Sequence, residues 1–435
     1  MERIFTTEIG NYLGTRVQLA GWMHTLRRLG GVSFLILRDA LGTAQVVLET
    51  PSQAAQLDGL LPETVLSVCG FATEQPQAPG GVELHDPEIS VVAPVRQPIP
   101  ISLNKPAVKA SLPIFLDHAT VGLRHPAKRS TFRIASGVMA GFRATLNGLR
   151  FTEIQTPKLV ASATEGGANV FAVDYFGRPA YLAQSPQFYK QIMVGVFERV
   201  FEVGPVFRAE PHDTVRHINE YVSLDVEMGF INDHHDVMAM LSTVLRGILE
   251  HLSESLAQDL AALGVSSLPK MPDPLPAISF QQAQELILEL HGDDCRGEPD
   301  LAPQHERWLG ELAQDRFGSD FLFVTGYPMV KRPFYTHPDP VDPAYSNSFD
   351  LLFRGTELVT GGQRLHLYDD YVEALRRIGC RDLTPYEPYL EAFRHGMPPH
   401  GGFAIGLERF VMQLLGLENI RQATLFPRDL TRLKP

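Results

Sequence analysis

Val200-Phe201-Glu202-Val203-Gly204-Pro205-Val206-Phe207-Arg208-Ala209-Glu210 decides how this 435-residue chain is read. The apolar run up to Phe207 predicts a strand that delivers an arginine and a glutamate to its end. A polar loop from Pro211 to Glu220 carries His212, Asp213, Arg216 and His217. A second strand-like run, Tyr221-Val222-Ser223-Leu224-Asp225-Val226-Glu227-Met228, then turns back. Two apart on a strand, Arg208 and Glu210 project from one face. A guanidinium can clamp a phosphate through two parallel hydrogen bonds, and a carboxylate beside it can accept from an exocyclic amine. This is a nucleotide site without a glycine-rich loop. F-R-x-E by itself also describes an ion pair at an exposed strand end, so the weight rests on the remainder of the chain.

Composition bounds the class. The length exceeds one ordinary core and predicts two or three domains. With 44% hydrophobic and 20% charged residues, the composition is that of a soluble globular protein. No apolar run is long enough to span a bilayer, and Met1-Glu2-Arg3-Ile4-Phe5 does not open a signal peptide. Cys69, Cys295 and Cys380 make no metal or redox pattern, which suits a reducing cytoplasm. The net charge of -12 weighs against a nucleic-acid partner for the chain as a whole. Basic residues nonetheless gather in the first third: Arg27, Arg28, Lys105, Lys109, Arg124, Lys128, Arg129 and Arg133.

Residues 1–103 read as five short strands with glycine corners, at Val17–Met23, Val32–Asp39, Ala44–Leu48, Val65–Gly70 and Gly81–Leu84. That pattern suits an OB-fold barrel, whose usual work is binding single-stranded nucleic acid. Pro94, Pro98, Pro100 and Pro106 predict an extended linker that runs on through residues 104–127. From 128 to 435 a second domain begins with a helix, Lys128 to Leu149, followed by the extended segment Phe151–Pro157. A helix after Ala183 has Ser185 as its N-cap and Pro186 in its first turn. Gln187 and Lys190 share one face of it, and an amide with an ammonium can hold a carboxylate; on an ordinary helix surface both would simply be solvated. Residues 232–342 read as an insertion or as cover for a sheet, with helices over 236–260 and 280–290 and a buried strand Phe321–Thr325.

Glu357-Leu358-Val359-Thr360-Gly361-Gly362-Gln363-Arg364-Leu365-His366 combines a carboxylate, a hydroxyl and a double glycine, which lets backbone approach a ligand closely. Glu357 could hold a hard cation with help from Thr360, and Arg364 could take a carboxylate in a two-point grip; the plain alternative is a solvent-facing bulge. In Pro398–Phe410 the small residues Gly401, Gly402, Ala404 and Gly406 leave room for a planar ring. Arg409 can cover a base face or a terminal phosphate.

Together these segments resemble the class II aminoacyl-tRNA synthetases. The helix, strand and Pro157 are similar to the first signature motif, FRxE with its basic loop to the second, and the GxGxxR-like text ending at Arg409 to the third. Leu425-Phe426-Pro427-Arg428-Asp429 is similar to the class IIb ending. GWMHTLRRLGGVSFLILRD…GTAQVV resembles the anticodon-binding domain of the aspartyl, asparaginyl and lysyl enzymes, while SPQxYK and ELVTGGQRLH resemble the archaeal, short-type aspartyl branch. The resemblance implies an α+β chain: an OB-fold ahead of an antiparallel sheet flanked by helices, working as a homodimer. It implies ATP-dependent activation of L-aspartate to aspartyl-adenylate, then transfer to tRNA(Asp).

By this resemblance Arg208 holds the α-phosphate and Glu210 the adenine amino group. Tyr221 and Arg409 cover the two faces of adenine, and His217 reaches the γ-phosphate. Glu357 and Thr360 bind Mg2+. Lys190 and Arg364 grip the aspartate side chain, assisted by Gln187, and Asp225 meets its ammonium. In the anticodon domain Phe34 stacks on a base (or else fills the barrel core), Gln45 and Glu83 read base edges, and Arg27 contacts the backbone. Relatives that charge only tRNA(Asp) carry a tryptophan after the GW strand and a lysine in a later loop. Here those positions are His24 and Pro79, a departure resembling the relaxed subtype that also charges tRNA(Asn). That subtype implies a separate amidotransferase acting on Asp-tRNA(Asn). The other readings are an enzyme restricted to tRNA(Asp), a free-standing asparagine-forming ligase, and a tRNA-binding protein that has lost catalysis. The OB-like domain argues against the second, and the presence of both Arg208 and Arg409 against the third.

Overall fold

Alternating burial along the first strand closes a barrel. In the computed structural model, which describes residues 2–161 and 169–434, every second residue of β1 (Arg16–Leu29) is buried from Val17 to Met23. With β2 (Val32–Arg38), β3 (Thr43–Leu48), β4 (Val65–Glu74) and β5 (Val82–Ala93), it forms a closed barrel ordered β1-β2-β3-β5-β4. Leu19, Leu35, Leu37, Val46, Leu66, Val68 and Leu84 fill the interior. β1 and β5 outrun the expected strands, because their outer ends are exposed and do not alternate apolar with polar residues.

The chain divides into two compact units, Met1–Pro126 and Ala127–Pro435. The segment expected to be an extended linker carries two short helices, Leu112–Asp117 and Ala119–Gly122. They close a small core of Ile101, Leu103, Phe115 and Leu116. Pro113 sits in a helix's first turn, where a missing N–H is no loss. Proline there starts structure rather than excluding it.

In the second unit, β6 (Thr152–Glu153) is followed by a small sheet of β7 (Leu159–Val160), β8 (Ala172–Tyr175) and β9 (Arg178–Leu182), ordered β7-β9-β8. The large sheet continues with β10 (Arg199–Phe207), β11 (Glu220–Gly229), β12 (Ala277–Ser279), β13 (Phe321–Thr325), β14 (Ser348–Phe353), β15 (Thr356–Gln363) and β16 (His400–Gly406). Its order is β12-β13-β14-β15-β16-β11-β10-β6. The centre is antiparallel as expected, but both edges are parallel: β12 with β13, and β6 with β10. Parallel neighbours need a crossover, and helices supply it, Gln187–Phe197 before β10 and the pair Phe280–His291 and Pro303–Phe317 before β13. Residues 232–342 therefore include two strands of the main sheet rather than cover alone. The helix Pro303–Phe317 was not expected, since its buried face mixes Leu309 and Leu312 with the polar His305 and Glu306 and blurs the apolar period.

The two faces of the sheet have different work. Leu224, Val226, Phe349, Leu351, Phe403 and Ile405 point into the core, against the helices Pro126–Gly148 and His234–Ser255. Gly137 and Gly141 let those helices close up: a Cβ at either would press on Leu252 or His251. By strand alternation, Ser223, Asp225, Glu227 and Asp350 project from the opposite face. Opposite them on β16 stand residues with almost no side chain: Ser223 pairs Gly406, Asp225 pairs Ala404 and Glu227 pairs Gly402. That face is a hollow floored by backbone.

Candidate active site

The β10–β11 hairpin places the first group. β10 ends at Phe207, so Arg208 and Glu210 lie beyond the strand and not on one strand face as expected. The loop still converges them: the Asn219 side chain donates to the Arg208 carbonyl (2.7 Å) and the Glu210 carbonyl (3.3 Å), and Arg208 approaches Glu210 to 3.8 Å. The Arg208 guanidinium lies 5.7 Å from the centre of the Tyr221 ring. His217 Nε2 is 3.8 Å from Glu210, and burial pushes its pKa below the usual histidine value, with Arg409, His212 and Arg216 adding to the shift against Glu210. Arg409, in the first turn of the helix Leu407–Leu415, donates to the Glu357 carbonyl (2.9 Å) and lies 3.5 Å from its carboxylate. One cleft is lined by Arg208, Glu210, His217, Tyr221, Glu357, Thr360 and Arg409, so all seven residues expected at a nucleotide and its cation meet there.

Carboxylates gather at one side of this cleft. In the β14–β15 ladder Asp350 stands directly opposite Thr360. The Glu357 side chain is partly exposed and lines the cleft; burial and then the Asp350 charge push its pKa up to about 7, against the pull of Arg409. Thr360 Oγ1 lies 3.5 Å from Glu357 Oε1. Glu306 accepts from the Glu357 backbone N–H and from Arg216, both at 3.2 Å, and burial raises its own pKa. Arg332 donates to Asp350 (3.1 Å) and lies over the Tyr327 ring. Sequence reasoning passed over Asp350, although a lone carboxylate within Phe349-Asp350-Leu351-Leu352 signalled it. The donor set suits a divalent cation: hard oxygens, with one carboxylate short of positive charge. Glu357 and Asp350 would hold it, with Thr360 beside them.

A buried charge cluster forms the second group. The helix carrying it begins at Gln187, one residue later than a Ser185 cap implies; Ser185 Oγ accepts from the Gln187 N–H at 3.2 Å. Lys190 is 1% exposed. Its Nζ lies 3.0 Å from Asp225 and 3.3 Å from Glu227, and donates to the Phe403 carbonyl. Arg364 donates through Nε to Glu227 (3.0 Å) and through Nη2 to the Gly402 carbonyl (3.0 Å). Among the described residues two of the five guanidinium N–H groups are thus used, which leaves three for a ligand. Complete burial would raise the Glu227 pKa, but Arg364 and Lys190 hold it below the usual carboxylate range. Glu227 is a further residue that sequence reasoning missed, though it lies two positions from Asp225 and therefore on the same face. Two cations and two anions balance, which is what makes the cluster tolerable without water.

One donor there has no partner among the described residues. Gln187 is 4% exposed, and its Nε2 makes no hydrogen bond. A buried orphan donor costs roughly 1–3 kcal/mol, and an incoming carboxylate would recover it. Behind the cluster, the Gln191 amide donates to Tyr371 and meets His400 Nε2, and its carbonyl accepts from Tyr389. Burial pushes His400 down to about 4, so no third cation competes for Glu227.

The barrel places its own candidates in pairs. Arg27 and Phe34 are direct cross-strand partners on β1 and β2; Arg27 is exposed and Phe34 half-buried outside the barrel core. Gln45 and Glu83 are partners on β3 and β5, joined by a 2.8 Å hydrogen bond. His24 is the residue the β1–β2 ladder skips, at a bulge between Met23 and Thr25. Pro79 opens the tight turn Pro79–Gly81, whose two glycines have positive φ. No described helix is long and apolar enough to cross a membrane.

Comparison with known proteins gives a consistent picture. Residues 112–430 match the family of tRNA synthetases class II (D, K and N), and residues 17–92 match the OB-fold nucleic acid binding domain. The chain is 45% identical to an aspartate–tRNA(Asp/Asn) ligase of Thermus thermophilus, each covering all of the other. It is 41% identical to an aspartate–tRNA(Asp) ligase of Thermoplasma acidophilum, over 97% of each chain. The solved asparaginyl-tRNA synthetase of Pyrococcus horikoshii, in complex with asparaginyl-adenylate, superposes over the full length of both chains with a TM-score of 0.92 at 31% identity.

Proposed function

Since the chain belongs to the class II tRNA synthetases for aspartate, lysine and asparagine, we propose that it is an aspartate–tRNA ligase that charges both tRNA(Asp) and tRNA(Asn). One observation carries the amino-acid half of this reading. Asp350, Thr360, Ala404 and Asp225 lie in a single cross-strand row, β14-β15-β16-β11. Three strand spacings separate its ends, about 14 Å. The carboxylates suited to a cation stand at one end and the buried cluster at the other. An aminoacyl-adenylate is an elongated molecule with a phosphate near its middle, and it fits such a row.

The reaction needs no covalent enzyme intermediate. The aspartate α-carboxylate attacks the α-phosphorus of ATP, and pyrophosphate leaves. A ribose hydroxyl of the terminal tRNA adenosine then attacks the mixed anhydride. Arg208 neutralises the phosphate under attack, Tyr221 and Arg409 hold the adenine between them, Glu210 accepts from its amino group, and His217 reaches the terminal phosphate. Gln187, Lys190 and the free N–H groups of Arg364 receive the aspartate side chain, while Asp225 faces the ammonium. Catalysis is positioning and charge neutralisation. A bound Mg2+ would supply positive charge across the triphosphate.

Asparagine offers a neutral amide to three N–H donors of Arg364, so the pocket favours the carboxylate. The relaxed tRNA choice is supported by His24 and Pro79 and by the name of the Thermus relative. An Asp-tRNA(Asn) so made requires a separate amidotransferase, and such substrates support a cytoplasmic location. Self-association is supported by a groove between the helix Pro126–Gly148 and the C-terminal segment, lined by Phe132, Met139, Leu425 and Phe426. The test is ATP–pyrophosphate exchange with aspartate, asparagine and lysine, followed by charging of tRNA(Asp) and tRNA(Asn) transcripts side by side. Exchange with aspartate and charging efficiencies within about tenfold, ~1.4 kcal/mol, support the proposal. Exchange with asparagine alone, or a hundredfold preference for tRNA(Asp), overturns the corresponding half.

A further inference from the structure

We propose that His85 is a positioning residue for anticodon reading: as an imidazolium it holds the Glu83 carboxylate in place, so recognition of tRNA weakens when His85 loses its proton. The inference rests on the tRNA-ligase reading and deepens it. On β5, Glu83 and His85 are two apart and share a face. His85 Nε2 lies 2.8 Å from Glu83 Oε1, and His85 Nδ1 lies 2.7 Å from Glu49 Oε1. Both ring nitrogens therefore face carboxylate oxygens. A neutral imidazole has one donor and one acceptor, and it would set a lone pair against one of the two carboxylates. Only the imidazolium donates to both.

Glu83 is 8% exposed on its side chain, and its other oxygen accepts from Gln45 at 2.8 Å. A carboxylate offers about four acceptor sites. Gln45 and His85 occupy two and orient the group, and the remaining lone pairs are left for the N–H groups of a base edge. If His85 becomes neutral, it keeps one glutamate and releases the other. Partial burial alone would lower the His85 pKa, but Glu49 and Glu83 carry it above the usual histidine value. The switch therefore falls above the pH at which an ordinary histidine titrates. The neighbours across the β4–β5 ladder, Phe71 and Thr73, are uncharged. Arg16, packed over Phe71, is already paired with Asp86 and Glu88. Glu49 and Glu83 are thus the charges that set the titration.

The full-length protein is assayed for charging of tRNA(Asp) transcript from about pH 6 to pH 9, with aspartate-dependent ATP–pyrophosphate exchange, which uses no tRNA, as the control at each pH. In the unmodified protein the KM for tRNA should rise about tenfold as His85 deprotonates, the scale of one lost charge-assisted hydrogen bond, beyond any change in exchange. His85→Leu should show the high KM at every pH, with normal exchange. Glu49→Gln, at an exposed site, should lower the His85 pKa and move the rise to lower pH. His85→Gln keeps size and one donor, and should fall between. A His85→Leu KM equal to that of the unmodified protein at low pH, or a profile that Glu49→Gln leaves in place, overturns the inference. Failure of the unmodified protein to charge any tRNA would instead overturn the ligase reading, and this inference with it.

Discussion

Glu357 shows how a single side chain is tuned by its neighbours. Burial and the Asp350 charge push its pKa up to about 7, so at the proposed Mg2+ site protonation competes with the cation for this carboxylate as the pH falls through that value. The sign is fixed by the direction of the shift: lowering the pH through 7 removes the ligand, and raising it restores the ligand. The apparent Mg2+ affinity in the exchange reaction should fall about tenfold per pH unit below 7, as expected when one proton must leave for one ion to bind. Glu357→Gln should bind Mg2+ weakly with no such slope; an unchanged rate and Mg2+ dependence would remove Glu357 from the site. Arg364 is tuned the other way, with Glu227 keeping it charged and oriented. Arg364→Leu should cost aspartate activation roughly 3–5 kcal/mol, because it strands the Glu227 carboxylate and removes the substrate's partner. The measurement is kcat/KM for aspartate in exchange, with the KM for ATP as the control. Near-normal exchange would show that Arg364 does not touch the amino acid.

At the level of elements, β16 matters for what it lacks. Gly402 stands opposite Glu227, and a Cβ there would run into the Val226 carbonyl and the Glu227 carboxylate. Gly402→Ala should therefore push Glu227 away from Arg364 while leaving the cleft proposed for ATP alone. The expected result is a rise of about tenfold or more in the KM for aspartate, the scale of an overpacked site, with the KM for ATP within about twofold. Equal losses for both substrates would mean that the strand as a whole had moved. The helix Gln187–Phe197 is a complementary case. In sequence its Lys190 and Gln187 look like ordinary surface residues, but the helix packs them inward, because the hollow beside β11 offers Asp225 and Glu227 as partners.

For the whole molecule, the open choice is between two tRNAs whose anticodons differ at one base. His24 lies at a β-bulge, a feature that re-aims a side chain, and Pro79 begins a turn and has no N–H to offer a base. The double variant His24→Trp, Pro79→Lys should shift charging at least about tenfold towards tRNA(Asp), or ~1.4 kcal/mol, with exchange unchanged. A ratio equal to that of the unmodified protein would place discrimination elsewhere in the barrel.

The sequence by itself determined most of what depends on short spacing. The barrel strands and the β10–β11 hairpin were legible because alternation places side chains on one face within a few residues, and motif text drew attention to the residues that the structure brings into one cleft. Its own reach ended at contacts between distant segments. Asp350, Glu306 and Arg332 come to Glu357 from strand, helix and loop up to 51 residues away; the lone carboxylate in an apolar run marks Asp350, but nothing local marks Glu306 or Arg332. Glu227 was passed over because its role exists only once Arg364, 137 residues later, folds against it. The parallel edge strands were hidden for a related reason: pairing direction is set by the helical crossovers, and a strand's own pattern does not record it. Tertiary structure alone decided which charges are buried together, because desolvation and pairing are properties of the assembled site, and they make an ordinary carboxylate in the chain into one that titrates near 7.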